Sequence, residues 1–392
     1  MKEKYKYYFL TFIRFLGDSF FYPFFALYLH SKEGIGEGKI GVLIAIIPFI
    51  GLIANPILSK ICKNFKILKI VLGIIGILEA LLICFILNVN DFYSLLILTI
   101  LLALVGSSHY GLQDSLLTIF ATNNKMNYSN IRVWGSIAYI FGTAIAGFLI
   151  KEFNYDFCFY ICSVLFVMAS IFYLSVKSAY NEEKKEEKRS FKEVIKNKNF
   201  NLYVIFYMLF YGVFKTSNNF YSLLLESRGL SEAIFGYNYA IFVSVEVMLL
   251  FLFDRFNKKL NYKRLLGIAV ISLSIMVLVN ASSLPSTLII IFSILRGVSW
   301  GIVLHVSNKV VVQFLGVKNT TVGTMILDLA YSIIVIICNT SGGHIIEATS
   351  YQLFYFILAI IAIIDSVFYY LFVRKHINVN DEIAIVDNVD NN

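Results

Sequence analysis

The sequence predicts an all-α polytopic membrane protein with twelve transmembrane helices in two six-helix, pseudo-symmetric halves. Composition, the length of the apolar runs and the distribution of basic residues carry this prediction. Of 392 residues, 58% are hydrophobic and 15% are charged, and the mean hydropathy is +0.76. Because a soluble domain carries about 25% charged residues, this composition excludes a water-soluble globule, and its apolar content excludes a disordered chain.

Apolar runs long enough to cross a bilayer recur along the chain, since a transmembrane helix needs about 20 largely apolar residues. The runs are 7–29, 40–60, 67–88, 93–118, 131–150, 157–176, 201–225, 234–253, 265–281, 286–312, 320–341 and 352–373. The first run contains Arg14 and Asp18 and lacks a small-residue cleavage site, so it is predicted to be a membrane helix and not a removable signal.

The long connector between the sixth and seventh runs divides the chain. It contains the charge run 182–189, which is typical of a solvated linker. We therefore predict four parts. They are an N-terminal six-helix bundle (1–176), a cytoplasmic linker (177–200), a C-terminal six-helix bundle (201–373) and a polar cytoplasmic tail (374–392).

Basic residues predict the orientation in the membrane. With the N-terminus inside, 26 of the 33 lysines and arginines fall in cytoplasmic segments and four in outer segments. This excess places both termini in the cytoplasm and predicts a multi-pass protein of the cytoplasmic membrane. The net charge of +8 is thereby explained by topology, so we expect the lipid bilayer and not a nucleic acid as partner.

The five cysteines lie almost entirely inside apolar runs and are expected to be reduced packing residues. Cys158 and Cys162 share a helix face, but no second pair nearby could complete a zinc site. Neither a metal nor a cofactor is expected, and the protein is expected to function as a monomer.

Two related octapeptides indicate an internal duplication. Residues 34–41 (GIGEGKIG) and 229–236 (GLSEAIFG) lie 195 positions apart, each in the first outer connector of its half. Parallel repeats of this kind, with a substrate site near the bilayer midplane, are typical of one large class of transporters.

Charged residues inside the predicted spans point to function, because each costs about 2.5–3.5 kcal/mol at the bilayer centre. Arg14 and Asp18 are four residues apart and can pair on one helix face, although such a pair can also be purely structural. The others are the acids Glu79, Asp114, Glu246, Asp328 and Asp365 and the cations Lys215 and Arg296.

The acids outnumber the cations, and a buried carboxyl without a cation holds its proton. Glu79, Glu246 and Asp328 are therefore the candidates for proton coupling. No cation lies one helical turn from Glu246, since Phe242 and Leu250 occupy those positions. A permanently neutral acid that hydrogen-bonds a neighbouring helix is the alternative for each of the three.

Two histidines share helix faces with other polar residues. His109 and Gln113, with Asp114 beside them, suit a hydroxylated ligand such as a sugar or a nucleoside. His305 and Lys309 form a similar pair later in the chain. A membrane histidine is more often a packed, hydrogen-bonded residue than a proton relay.

The segment 113–116 (QDSL), followed by 130–139 (NIRVWGSIAY), resembles the major facilitator superfamily. It is most similar to the group that contains lactose permease, the nucleoside–proton symporters and the phenylpropionate permeases. The resemblance implies that Asp114 and Arg132 bind solute hydroxyls and that Tyr139 stacks on the solute ring. An arginine fork, an acceptor and a flat apolar face suit this task.

The sequence also differs from that group at several positions. Arg296 and Ser299 stand where lactose permease has a histidine and its proton-releasing glutamate. The coupling arginine of the ninth helix has no counterpart in 265–281. Lys215, Arg296 and His305 are left as the polar residues of the C-terminal cavity.

We therefore expect a secondary transporter, proton-coupled, for a small polar solute such as a sugar or nucleoside. An aromatic or organic carboxylate transporter, with Arg132, Arg296 or Lys215 holding the anion, is the alternative. A polytopic enzyme is disfavoured because the outer loops are short and no catalytic motif is present. A non-transporting sensor is disfavoured by the charges within the spans.

Overall fold

The computed structural model describes residues 3–62, 64–177, 191–256 and 260–377. Within these ranges the chain is helical and contains no β-strand. The charge run 182–189 and most of the predicted tail lie outside the described residues.

The helices follow the predicted runs closely. In the first half they are α1 (Glu3–Phe21), α2 (Phe25–His30), α3 (Glu37–Ile61), α4 (Phe65–Leu87), α5 (Phe92–Gly106), α6 (His109–Asn123), α7 (Ser129–Glu152) and α8 (Tyr155–Ser175). In the second half they are α9 (Phe191–Lys196), α10 (Lys198–Asn219), α11 (Tyr221–Ser227), α12 (Glu232–Phe256), α13 (Tyr262–Ala281), α14 (Ser286–Phe292), α15 (Ile294–Ala348) and α16 (Tyr351–Phe368). A short 3-10 turn (Tyr22–Phe24) joins α1 to α2.

Eleven helical stretches of the described chain are long and apolar enough to cross a membrane. The predicted seventh run, 201–225, is also helical, as α10 and α11. It falls below the eleven in apolarity because α10 ends in a polar segment, 215–219 (KTSNN). Two predicted runs are joined in α15, which bends at Gly316, where φ is 70°.

Local sequence sets several helix starts. Side-chain oxygens accept hydrogen bonds from backbone N–H groups of the first turn, which satisfies donors that a helix start leaves unpaired. The capping residues are Asn64, Asp91, Asn154, Asn261 and Ser350.

The two related octapeptides adopt the same backbone conformation at their first residue. Gly34 has φ of 74° and Gly229 has φ of 76°, values that L side chains rarely adopt. Helices α3 and α12 then begin at Glu37 and Glu232, again 195 positions apart. The duplication read from the sequence therefore extends to a shared turn and a shared helix start.

The chain forms two compact units. The first comprises residues 1–184 and 219–240, and the second comprises 185–218 and 241–392. In the first unit α1 packs against α7 and α8, and α4 packs against α8. In the second unit α13 packs against α15 and α16.

An apolar core occupies the first unit around the N-terminal half of α1. Tyr7 stacks on Phe120 of α6 with ring centroids 3.6 Å apart. Leu10, Leu72 and Leu116 are buried in the same cluster. This core fixes α1 against α4 and α6, and it thereby positions the charged residues one to two turns further along α1.

Candidate functional site

A buried charged cluster lies at the centre of the first unit. The Arg14 guanidinium binds Glu79 of α4 through two contacts, Nη1 to Oε2 at 2.5 Å and Nη2 to Oε1 at 3.1 Å. Its Nη2 also lies 3.0 Å from Asp18 Oδ1. All three residues are fully buried. One guanidinium therefore contacts two carboxylates. The contact with Glu79 is bidentate, which is the strongest kind of ion pair that an arginine forms.

The contact between Arg14 and Asp18 follows the predicted spacing of four residues. The expectation that Glu79 has no cationic partner is wrong, because Arg14 reaches it from α1. The sequence could not reveal this contact, since it joins residues 65 positions apart on two helices.

Aromatic and glycine residues complete the cluster. The Arg14 guanidinium lies 3.9 Å from the centroid of the Phe166 ring, and the Tyr22 hydroxyl donates to Glu79 Oε1 at 3.3 Å. A Cβ on Gly17 would lie 2.7 Å from Phe166. Glycine at this position therefore makes room for the ring that covers the cation.

A second polar group adjoins the cluster. His109 Nε2 lies 3.1 Å from Gln113 Oε1 and 3.0 Å from the Tyr173 hydroxyl. The Tyr173 hydroxyl donates to Gln113 Oε1 at 2.6 Å. His109 Nδ1 lies 3.9 Å from Glu79 Oε2. His109 and Gln113, which were expected to face a solute, are buried and bind α8 through Tyr173.

Asp114 and Arg132 lie close together at the surface of the first unit. Arg132 Nε is 3.9 Å from Asp114 Oδ1, with the two side chains 35% and 48% exposed. The Tyr128 hydroxyl donates to the same Asp114 oxygen at 2.8 Å. The guanidinium also stacks on Phe15, 4.2 Å from the ring centroid. The accessible carboxylate and guanidinium can both bind solute hydroxyls.

Tyr139 lies further along α7 and is half-buried. Its ring centroid is 6.0 Å from that of Tyr239 in the same unit. The sequence identified Tyr139 but missed Tyr128, Tyr173 and Tyr22. Tyrosine is frequent in this chain, with 25 copies, so its presence in a run carries little positional information.

The predicted polar residues of the second unit lie on three helices, α10, α12 and α15. Glu246 is half-buried on α12, and Arg296 is buried with its guanidinium 5.2 Å from the Phe242 ring centroid. Lys215 is exposed. His305 Nε2 lies 3.2 Å from Lys309 Nζ, which donates to the Tyr262 hydroxyl at 2.9 Å.

Asp328 of α15 is an exposed residue. It lies near the hydroxyls of Tyr207, Tyr211 and Tyr331. The sequence expectation that Asp328 faces a polar cavity or another charged group stays a prediction. Its position in an apolar run did not reveal which face of α15 it occupies.

Helices long and apolar enough to cross a membrane, with charged side chains that pair among them, define a multi-pass membrane protein. The sequence profile of the MFS_1 like family matches residues 4–358. The chain therefore belongs to this family of the major facilitator superfamily, and the resemblance seen in the sequence is confirmed. Its fold and family are those of a secondary transporter.

Similar proteins align with nearly the whole length of this chain. It is 21% identical to the sucrose permease of Escherichia coli, over 93% of this chain and 92% of the relative. It is 19% identical to the maltose permease of Geobacillus stearothermophilus, over 96% and 95% of the two chains. The crystal structure of a variant of the nucleoside transporter NupG superimposes with a TM-score of 0.84 at 15% identity, covering 94% of this chain and 99% of that one.

Proposed function

We propose that this protein carries a small hydroxylated solute of the sugar class across the cytoplasmic membrane by alternating access, together with a proton. The observation that carries the proposal is the accessible Asp114–Arg132 pair, with the Tyr128 hydroxyl on the same carboxylate oxygen. The relatives named as sucrose and maltose permeases support the choice of sugars.

The pair fits a sugar chemically. A carboxylate accepts hydrogen bonds from solute hydroxyls, and a guanidinium donates to them through a rigid fork. Tyr139 supplies an aromatic face for the apolar side of a sugar ring. Lys215, Arg296 and His305 are the polar residues that the sequence assigns to the cavity of the C-terminal half.

The proposed orientation places both termini in the cytoplasm, because most basic residues then lie inside. The protein is proposed to act as a monomer, since each chain has both six-helix halves. The coupled proton would be carried by one of Glu79, Glu246 and Asp328, the acids that the sequence singles out.

Uptake into proteoliposomes tests the proposal. Purified protein would be reconstituted and offered labelled sucrose, maltose, uridine or benzoate, with and without an inward proton gradient. We expect gradient-driven accumulation of a sugar, abolished by a protonophore. Accumulation of benzoate alone would replace the sugar proposal with the organic carboxylate alternative. Failure to move any polar solute in either direction would overturn transport of this class.

A matched pair of variants tests the site. Arg132→Ala should abolish sugar uptake, whereas Lys125→Ala, which removes a basic residue from the exposed α6–α7 connector, should retain it. Equal loss in both variants would show that overall charge, and not the Asp114–Arg132 pair, determines uptake.

A further inference from the structure

The charged cluster of the first unit contains two acids but only one arginine. Asp18 and Glu79 each lie within contact distance of Arg14, which is the one lysine or arginine that the described residues place within 4.0 Å of either carboxylate. Arginine keeps its charge at all physiological pH values. With both carboxylates ionised, the cluster would carry a net negative charge in a place that water does not reach, which is energetically costly.

Among the described residues, the groups that neighbouring helices place beside the two acids are polar and carry no permanent charge. Tyr22 faces Glu79 from the turn after α1, and His109 faces it from α6. The remaining titratable groups near the two acids are Tyr110 of α6, Tyr139 of α7, and Cys162 and Tyr173 of α8. Neutral tyrosine and cysteine side chains do not change the charge balance.

We infer that the Arg14–Asp18–Glu79 cluster binds one exchangeable proton, shared by the two carboxyls, and that this is the proton coupled to transport. On binding, a carboxylate oxygen forms an O–H bond with a proton from water, and the cluster becomes neutral. On release, that O–H bond breaks, the proton returns to water on the other side, and Arg14 holds both carboxylates. The inference rests on the proposed proton-coupled function and names the groups that perform the coupling.

Helix α6 connects this proton site to the proposed solute site. His109 at its start lies 3.9 Å from Glu79 Oε2, and Gln113 one turn later binds Tyr173. Asp114, the next residue, bears the solute-binding carboxylate. A movement of α6 when solute binds Asp114 would therefore change the distance between His109 and Glu79. That change would alter how strongly the two carboxyls bind their shared proton.

The charge balance makes a specific prediction about single substitutions. Asp18→Asn and Glu79→Gln each leave one carboxylate facing one guanidinium, a neutral pair that requires no proton. Each variant should therefore lose the same proton, although the residues lie on different helices. A proton whose site did not depend on this charge balance would be lost only in the variant of the acid that carries it.

Two measurements on the full-length reconstituted protein test the inference. The first is the pH-dependent infrared band of protonated carboxyl groups, which requires no solute. The second compares sucrose or maltose accumulation driven by a pH gradient with exchange at equal concentrations. Both variants should lose one carboxyl proton from the infrared difference spectrum and lose accumulation, while exchange stays within about twofold of wild type.

Asp365→Asn is the control, since Asp365 is a buried acid of α16 in the second unit. It should retain the band lost in the other two variants and should retain accumulation. Retention of the carboxyl proton in either Asp18→Asn or Glu79→Gln would overturn the shared site. Loss of an imidazole signal in place of a carboxyl band would overturn it in favour of His109. If the wild type moves no sugar but both variants lose the band, the proton site stands and the sugar proposal fails.

Discussion

Gly106 of α5 lies directly against the carboxylate of Glu79. A Cβ at position 106 would lie 2.5 Å from Glu79 Oε1 and 3.4 Å from the Tyr22 hydroxyl. Non-bonded carbon and oxygen atoms cannot approach each other to 2.5 Å, so one of the two groups would have to move. The helix end therefore approaches the charged cluster closely only because residue 106 has no side chain.

Gly106→Ala should displace Glu79 from Arg14 and weaken the bidentate contact. Crowding a packed interior costs about 1–3 kcal/mol, so we expect a lower thermal unfolding temperature and reduced pH-driven accumulation. Gly111→Ala is the control, because a Cβ there meets nothing within 4 Å. Equal behaviour of the two alanine variants would contradict this account of Gly106.

Asp114→Asn and Arg132→Ala should each abolish sugar uptake while membrane insertion and expression stay normal. Tyr128→Phe should have a smaller effect, because it removes only the hydrogen bond to Asp114 Oδ1. A hydrogen bond of this kind contributes about 1 kcal/mol net, which corresponds to roughly a fivefold weaker apparent affinity. Concentration dependence of labelled uptake measures each effect. Wild-type affinity in Asp114→Asn would remove Asp114 from the solute site.

Glu246→Gln should retain pH-driven accumulation. Glu246 lies on α12 in the second unit, outside the Arg14 cluster, so a neutral amide at this position leaves the proposed coupling proton in place. Accumulation and exchange would be measured side by side in proteoliposomes. Loss of accumulation with intact exchange would instead assign the coupling proton to Glu246, as the sequence alone also allowed.

Gly147→Ala should loosen the crossing of α7 and α12 within the first unit. A Cβ at position 147 would lie 2.5 Å from the carbonyl oxygen of Glu232 and 3.0 Å from the Gly236 Cα. We expect a loss of about 1–3 kcal/mol in stability, read as a lower unfolding temperature in detergent. An unchanged unfolding temperature, with Gly111→Ala as reference, would show that the two helices separate without cost.

Much of this architecture is already present in the sequence. Apolar runs of about 20 residues predict spanning helices because unsatisfied backbone groups are too costly in a lipid interior. The octapeptides that begin at Gly34 and Gly229 predicted a duplication, and the shared positive φ values extend it to the backbone. The segment 130–139 identified the superfamily to which the chain belongs.

Contacts between helices were decided only by the tertiary structure. Helical periodicity predicts that Arg14 reaches Asp18, because residues four apart share a face, but it does not indicate which helix supplies a second carboxylate. That Glu79 shares Arg14, and that Asp328 is exposed, depends on how the helices pack and rotate against one another. The spans are apolar on average, so hydrophobicity determines that a segment enters the membrane. Close packing around small residues such as Gly106 determines which charges meet there.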